Sequence, residues 1–306
     1  MRLRLSVSMW GVMGALAIGA GAAACSSDMT VSDGGALYSP CAEGTQVGRF
    51  NLGVAASGAD TGTAGFVGMV MDRPALSDFQ RPVVSDGACT LMERDWGMPC
   101  TPACASDEVC YPDGTCAPTS IAHSVGTVTL TGLASGRSTF QPPTDGIGAI
   151  VYAASPGDLP YPPAAPGAAI SLDTSGGDYA PFTLAGQGVT PLQARTGALS
   201  VARDQPLTID WGAPSLPAAT RLIAFVILGS DSPFPDAGTG YVMCNFPDTG
   251  TGTVPAALVN LLIDQGVGAA PSLSMQRATV SSTQITHGCV DFSVTTSTSQ
   301  PIVVNP

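Results

Sequence analysis

The sequence contains no lysine. A phosphate-binding P-loop, kinase chemistry and Schiff-base catalysis each need that amine, so all three are excluded. Charge of either sign is scarce: charged residues make up 11% of the 306, under half the usual share of a soluble domain. The balance is lopsided, with twenty Asp and three Glu against eleven Arg and a formal net charge of −12. An acidic chain without basic clusters repels phosphate backbones. This argues against a nucleic-acid partner and against a polybasic attachment to anionic lipid. Only two histidines occur, His123 and His287, and no HExxH pair is among them. A zinc hydrolase of that kind is excluded. No G-x-S-x-G nucleophile elbow appears either.

What the chain has is apolar residues (44%), 37 glycines and 26 prolines. That mixture favours short strands and many turns over long helices. Strand candidates are QVGRFNLGV, TAGFVGMVMD, RPVVSD and CTLME between residues 45 and 93, then VGTVTLTGLA (125–134). IGAIVYA, AAISLD, YAPFTLA, PLTIDW, RLIAFVILG, YVMCNF, SLSMQRATV and CVDFSVTT follow at turn-separated intervals. RLIAFVIL is apolar throughout and is expected as a central strand buried on both sides. In CVDFSVTT, Val290, Phe292 and Val294 face one way, Asp291 and Ser293 the other. One helix is predicted in TVPAALVNLLIDQG, with Thr253 as N-cap, a stripe of Leu258, Leu261 and Leu262, and Gly266 at its end. The expected fold is mainly β. A β-sandwich or jelly-roll-like C-terminal domain with one short helix follows a small disulfide-braced, cysteine-rich β region.

The amino end reads as a secretory signal. Arg2 and Arg4 give a positive start, and residues 5–24 are uncharged and shrink toward Ala22-Ala23-Ala24-Cys25. This site resembles the lipobox of bacterial lipoproteins, in which small residues precede a cysteine that is acylated and becomes the new N-terminus. Ala22 stands where that family usually has Leu. Ser26 after the cysteine implies, by the same resemblance, the outer membrane. Two other readings stand beside it. Ordinary cleavage would leave Cys25 a spare thiol, and an uncleaved segment could anchor the chain. The expected organisation is a signal peptide (1–24), a flexible tether (25–40), a cysteine-rich β region (41–119) and a β-sandwich domain (120–306).

Nine cysteines occur. With Cys25 given to lipid, for example palmitate, eight remain for disulfides in an oxidising envelope: Cys41, Cys89, Cys100, Cys104, Cys110, Cys116, Cys244 and Cys289. Four cluster as C-x3-C-x5-C-x5-C, where a zinc site is the competing reading. Position along the chain suggests Cys41 with Cys89 and Cys244 with Cys289.

The segment order is DGACTLMER, the cysteine cluster with DGTC, VGTVTLTGL, LPYPP and GGDYAPFTLAGQGVTPL. An Asp-Trp pair, CNFPDTGTGTVPAALVNLLIDQGV and HGCVDFSV complete it. This order is similar to a set of myxobacterial lipoproteins, over roughly residues 45–296. The resemblance brings no established activity. In the chains it resembles, the buried strand often continues into a His-Gly-Gly-like loop; here that stretch is GSDSPFPDAGTG.

No residue emerges as catalytic, metal-binding or cofactor-binding, and no cofactor is implied. His287 could serve as a general base, although a lone histidine before a strand is more often structural. Asp231–Asp236 could form an oxygen-rich cation loop or a plain acidic turn. Tyr152, Tyr161, Tyr179, Trp211 and Tyr241 could make a platform for sugar rings or could be core. The expectation is an envelope lipoprotein, membrane-bound through its lipid, with a non-enzymatic binding or structural role and a polysaccharide or envelope protein as partner. The alternative is a secreted-type glycoside or peptide hydrolase working through paired carboxylates.

Overall fold

The structure is a computed structural model. It describes residues 38–42, 44–57, 61–74, 80–94, 100–110, 115–143, 150–193, 197–214, 220–229 and 240–305. The strands in chain order are β1 (Gln46–Ala56), β2 (Gly62–Val70), β3 (Gln80–Asp86), β4 (Cys89–Arg94), β5 (Glu108–Cys110), β6 (Cys116–Pro118), β7 (Val128–Leu133), β8 (Gly136–Phe140) and β9 (Tyr152–Leu159). They continue with β10 (Ala169–Thr174), β11 (Thr183–Gln187), β12 (Leu199–Ala202), β13 (Leu207–Asp210), β14 (Arg221–Ile227), β15 (Gly240–Pro247), β16 (Thr251–Val254), β17 (Ser272–Ile285) and β18 (Gly288–Asn305). Among the described residues one helix occurs, α1 (Ala256–Asp264).

A ten-stranded sheet runs β3-β4-β15-β14-β17-β18-β1-β2-β9, with β12 added beside β18. Strands from before residue 119 and after it alternate in this sheet: β4 pairs with β15, and β1 pairs in parallel with β18. A second sheet, β11-β10-β7-β8, lies against one half of the first, giving a β-sandwich-like arrangement. Small pairs β13-β16 and β5-β6 complete the β structure.

The alternation read from the sequence explains the layers. Residues of even number in β14, β15, β18 and β1 share a face with those of odd number in β17, because Leu222 pairs with Arg277, Arg277 with Thr296 and Thr296 with Val54. That inner face carries two cores. Phe50, Leu52, Phe66, Val290, Phe292 and Val294 pack against Val128, Leu130, Ile170, Leu172 and Leu184 of the second sheet. Leu222, Ala224, Val226, Val242, Leu273 and Met275 pack under β13, β16 and α1. Burying one such large side chain contributes about 1.5–3 kcal/mol. Gly68 stands directly across from Phe50, and a Cβ there would lie 2.0 Å from its ring. The glycine is what lets the Phe50 ring lie over β2.

Several expectations shift in detail. Leu222, Ala224 and Val226 of β14 are buried, but Arg221, Ile223 and Phe225 on the other face are only half-buried. The strand is central, between β15 and β17, without being sealed on both sides. Thr253 is no helix cap: it lies in β16 opposite Thr208. The helix starts after Pro255, whose carbonyl accepts the amides of Leu258 and Val259. Its buried side is Leu258, Val259 and Leu262, while Leu261 is 39% exposed. Gly266 follows with φ +104°, a backbone conformation suited to glycine just past a helix end.

Candidate functional site

The eight cysteines form four disulfides, and the two long-range partners are exchanged relative to the expectation from position. Cys41 joins Cys289 across 248 residues, and Cys89 joins Cys244 across 155. The reason is sheet order. Cys89 in β4 and Cys244 in β15 are direct cross-strand partners, whereas Cys41, ahead of β1, is joined to β18, four strands from β4. Within the cluster Cys100 pairs with Cys110 and Cys104 with Cys116, so these sulfurs are disulfides and not a thiolate set for zinc. Cys25 and the loop Asp231–Asp236 lie outside the described residues.

The segment entering the fold is a strap laid alongside β17. β14 stops pairing with β17 at Ala278. Beyond that point Tyr38 bridges to Val280, and the Ser39 amide donates to the Val280 carbonyl at 2.8 Å. The strap then reaches β18 through the Cys41–Cys289 disulfide. There the Cys41 amide donates to Asp291 Oδ1 at 2.8 Å, and the Gln46 side-chain amide donates to Oδ2. Burial pushes the Asp291 carboxyl up from the usual carboxylate range, against the pull of the Cys41 amide, Arg49 and Gln46. Burial likewise raises the Tyr38 phenol, opposed by Arg221 and by a hydrogen bond with Asn245.

The aromatic residues scatter. Tyr152 and Tyr179 are buried, and the Tyr152 hydroxyl accepts the Val125 amide at 3.0 Å. Trp211 is buried too, stacked on Phe246, and its indole donates to Asp248 at 2.7 Å. These three are core, as is usual for large rings with one polar handle. Tyr161 and Tyr241 are half-buried. Both histidines meet Tyr179 edge-on, His123 at 5.7 Å and His287 at 5.6 Å between ring centres. His123 Nδ1 lies 3.4 Å from Asp178, while the Tyr179 hydroxyl donates to the Met71 carbonyl at 2.8 Å. Burial raises the Tyr179 phenol, and Asp72 and Asp178 add to it. The arrangement joins the chain after β2, the segment before β7, the loop before β11 and the β17–β18 turn.

A second polar node lies inside the molecule. Asp248 accepts from Trp211, from Thr220 at 2.7 Å, and from Arg277 through Nε at 2.5 Å and Nη2 at 3.1 Å. Arg277 also donates to the carbonyls of Thr190 and Gly212. Arg277 and Asp248 are each 1% exposed. Breaking such a pair by removing one partner costs about 3–5 kcal/mol, and its saturated bonding marks a structural role. Sequence patterning gave no signal of it, because Arg277 occupies a core-facing position of β17.

The open chemistry is on the outer face of the large sheet. Its rows follow from the register: Met243–Phe225–Ser274–Ser299, then Asn245–Ile223–Gln276–Ser297–Ala55, then Arg221–Ala278–Thr295–Gly53–Gly65. Asn51 Oδ1 accepts from the hydroxyls of Ser293 at 3.0 Å and Thr295 at 2.9 Å. β1 leaves β18 at Ser297 and β12 joins it at Ile302. Beside that gap is a depression of about 340 Å³ lined by Ala56, Ser274, Ser297, Thr298 and Ser299. The paired glycines 53 and 65 leave a second hollow of about 250 Å³ bordered by Asn51, Val67 and Ala154. The expected alternation of Val290, Phe292 and Val294 against Asp291 and Ser293 is the pattern that makes this face polar.

No protein-family model matches the chain, and no curated protein matches it.

Proposed function

We propose that the chain is an envelope lipoprotein, held to a membrane, expected to be the outer one, by acyl chains on Cys25, and that its β body binds a ligand without transforming it. The observation that carries this reading is the set of four disulfides. Such bonds persist in oxidising compartments, and pairing eight cysteines leaves Cys25 as the odd one, in a sequence context that resembles a lipobox. The strap adds a mechanical argument. It begins thirteen residues after Cys25 and is clamped covalently to a central strand, so a pull on the tether is borne by β18.

Among the described residues, neither carboxyl group with a displaced proton affinity is placed as a glycosidase acid. A glycosidase acid needs a raised carboxyl in an open cleft. Asp291 is raised but lies buried against the strap. Asp72 is held low by its hydrogen bond with Arg73 and the Ile121 amide.

The test is metabolic labelling with palmitate, followed by mass spectrometry of the mature N-terminus. The expected result is label on an N-terminal Cys25, with Cys25→Ala unlabelled and released from the membrane fraction. A native protein beginning at any other residue overturns the reading.

A further inference from the structure

We infer that the outer face of the large sheet is a binding surface for a neutral polysaccharide, lying across the strands from the Phe225–Tyr241 ring pair to the hydroxyl-lined depression at Ser297–Ser299. The inference rests on the proposed binding role and names its ligand class.

Three observations converge. First, Phe225 and Tyr241 sit 6.0 Å apart on the outer face, both half-buried, so each ring keeps surface open to solvent. Ring faces suit the C–H faces of sugars, apolar patches on an otherwise polar molecule. Second, Ser274 is the cross-strand neighbour of Phe225, and Gln276, Ser297 and Ser299 follow on the next strands. Ser297 and Ser299 are exposed, and they line the depression of about 340 Å³ beside them. Hydroxyls and amides both donate and accept, which matches a ligand whose edges are all hydroxyls. From β15 to β18 is three strand spacings, about 14 Å, room for more than one sugar ring.

Third, charge is sparse along the described rows. The chain has 23 acidic residues, yet the three rows given above hold no carboxylate; Asp291 lies further along β18, buried at the strap end. Arg49 lies at that same end, opposite Asp291, and Arg221 lies opposite Ala278, one row beyond Gln276 and Ser297. Among the described residues, the rows from Phe225 to Ser299 and from Ile223 to Ser297 are therefore uncharged on a strongly acidic molecule. A polyanion would be repelled by the whole. A protein partner would want an apolar centre, whereas the centre here is serine and glutamine.

The test is affinity electrophoresis of the full mature chain in native gels. The gels contain hydroxyethyl cellulose, mixed-linkage β-glucan or galactomannan, with alginate as the anionic control. Retardation is expected in at least one neutral gel and none in alginate. Ser297→Arg and Ser299→Arg, both at exposed positions, should weaken retardation at least tenfold with unchanged thermal unfolding. Equal migration in every neutral gel overturns the inference, and so does retardation that both arginine variants retain. The anchoring reading stands or falls separately on acylation of Cys25.

Discussion

The carboxyl group of Asp291 is buried where the strap meets β18, and its proton affinity is raised by that burial. In an unfolded chain an aspartate titrates near about 3.9. The folded state holds this proton more tightly. Its contribution to stability is therefore complete below the unfolded value and is lost as pH rises through the folded one. Asp291→Asn cannot titrate there. The stability of the native protein relative to this variant should fall as pH rises from about 4 toward neutrality, measured as the difference in urea midpoints. A difference that is flat, or that rises, would contradict the burial-driven shift.

At the scale of elements, α1 shows what packing decides. Leu258, Val259 and Leu262 face the core, and Leu261 does not. Leu258→Ala should cost about 2–5 kcal/mol and Leu261→Ala within about 0.5 kcal/mol, read from urea unfolding. Equal costs would mean that the helix is rotated from the position described. The sequence pattern found this helix but placed Leu261 on its buried side, because three leucines in a short segment fit more than one stripe. Its cap was misread for a related reason: Thr253 is a good cap by type, but Thr251–Val254 pairs with β13 instead. Strands with clear alternation, such as β1, β2, β14, β15 and the start of β18, were legible. Gly136–Phe140, Leu199–Ala202 and Thr251–Val254 were not, being short and lacking apolar alternation, so that their strand state comes from partners alone. The outer face was legible only in part. Asp291 and Ser293 were assigned to the polar side of β18, but no sequence pattern brings Phe225 beside Ser274, since that contact depends on strand order.

At the scale of the molecule, one large sheet serves two cores on the same face, divided where Arg277 and Asp248 are saturated with hydrogen bonds. Its order also shows why position misled the disulfide assignment. The pairing suggested by nearness in sequence, Cys41 with Cys89, is one that the finished sheet forbids. That error is instructive about biogenesis. On the proposed export, a polypeptide delivered amino end first to an oxidising compartment presents Cys41 and Cys89 together before Cys244 and Cys289 arrive. Oxidation in order of arrival traps the wrong couple, and maturation then depends on thiol–disulfide exchange. Oxidative refolding from the reduced state should accumulate a Cys41–Cys89 species that resolves only with an isomerase or a small-molecule thiol, visible in peptide maps under non-reducing conditions. Direct formation of Cys41–Cys289 without such a catalyst would show that the late strand finds its place before chemistry can intervene.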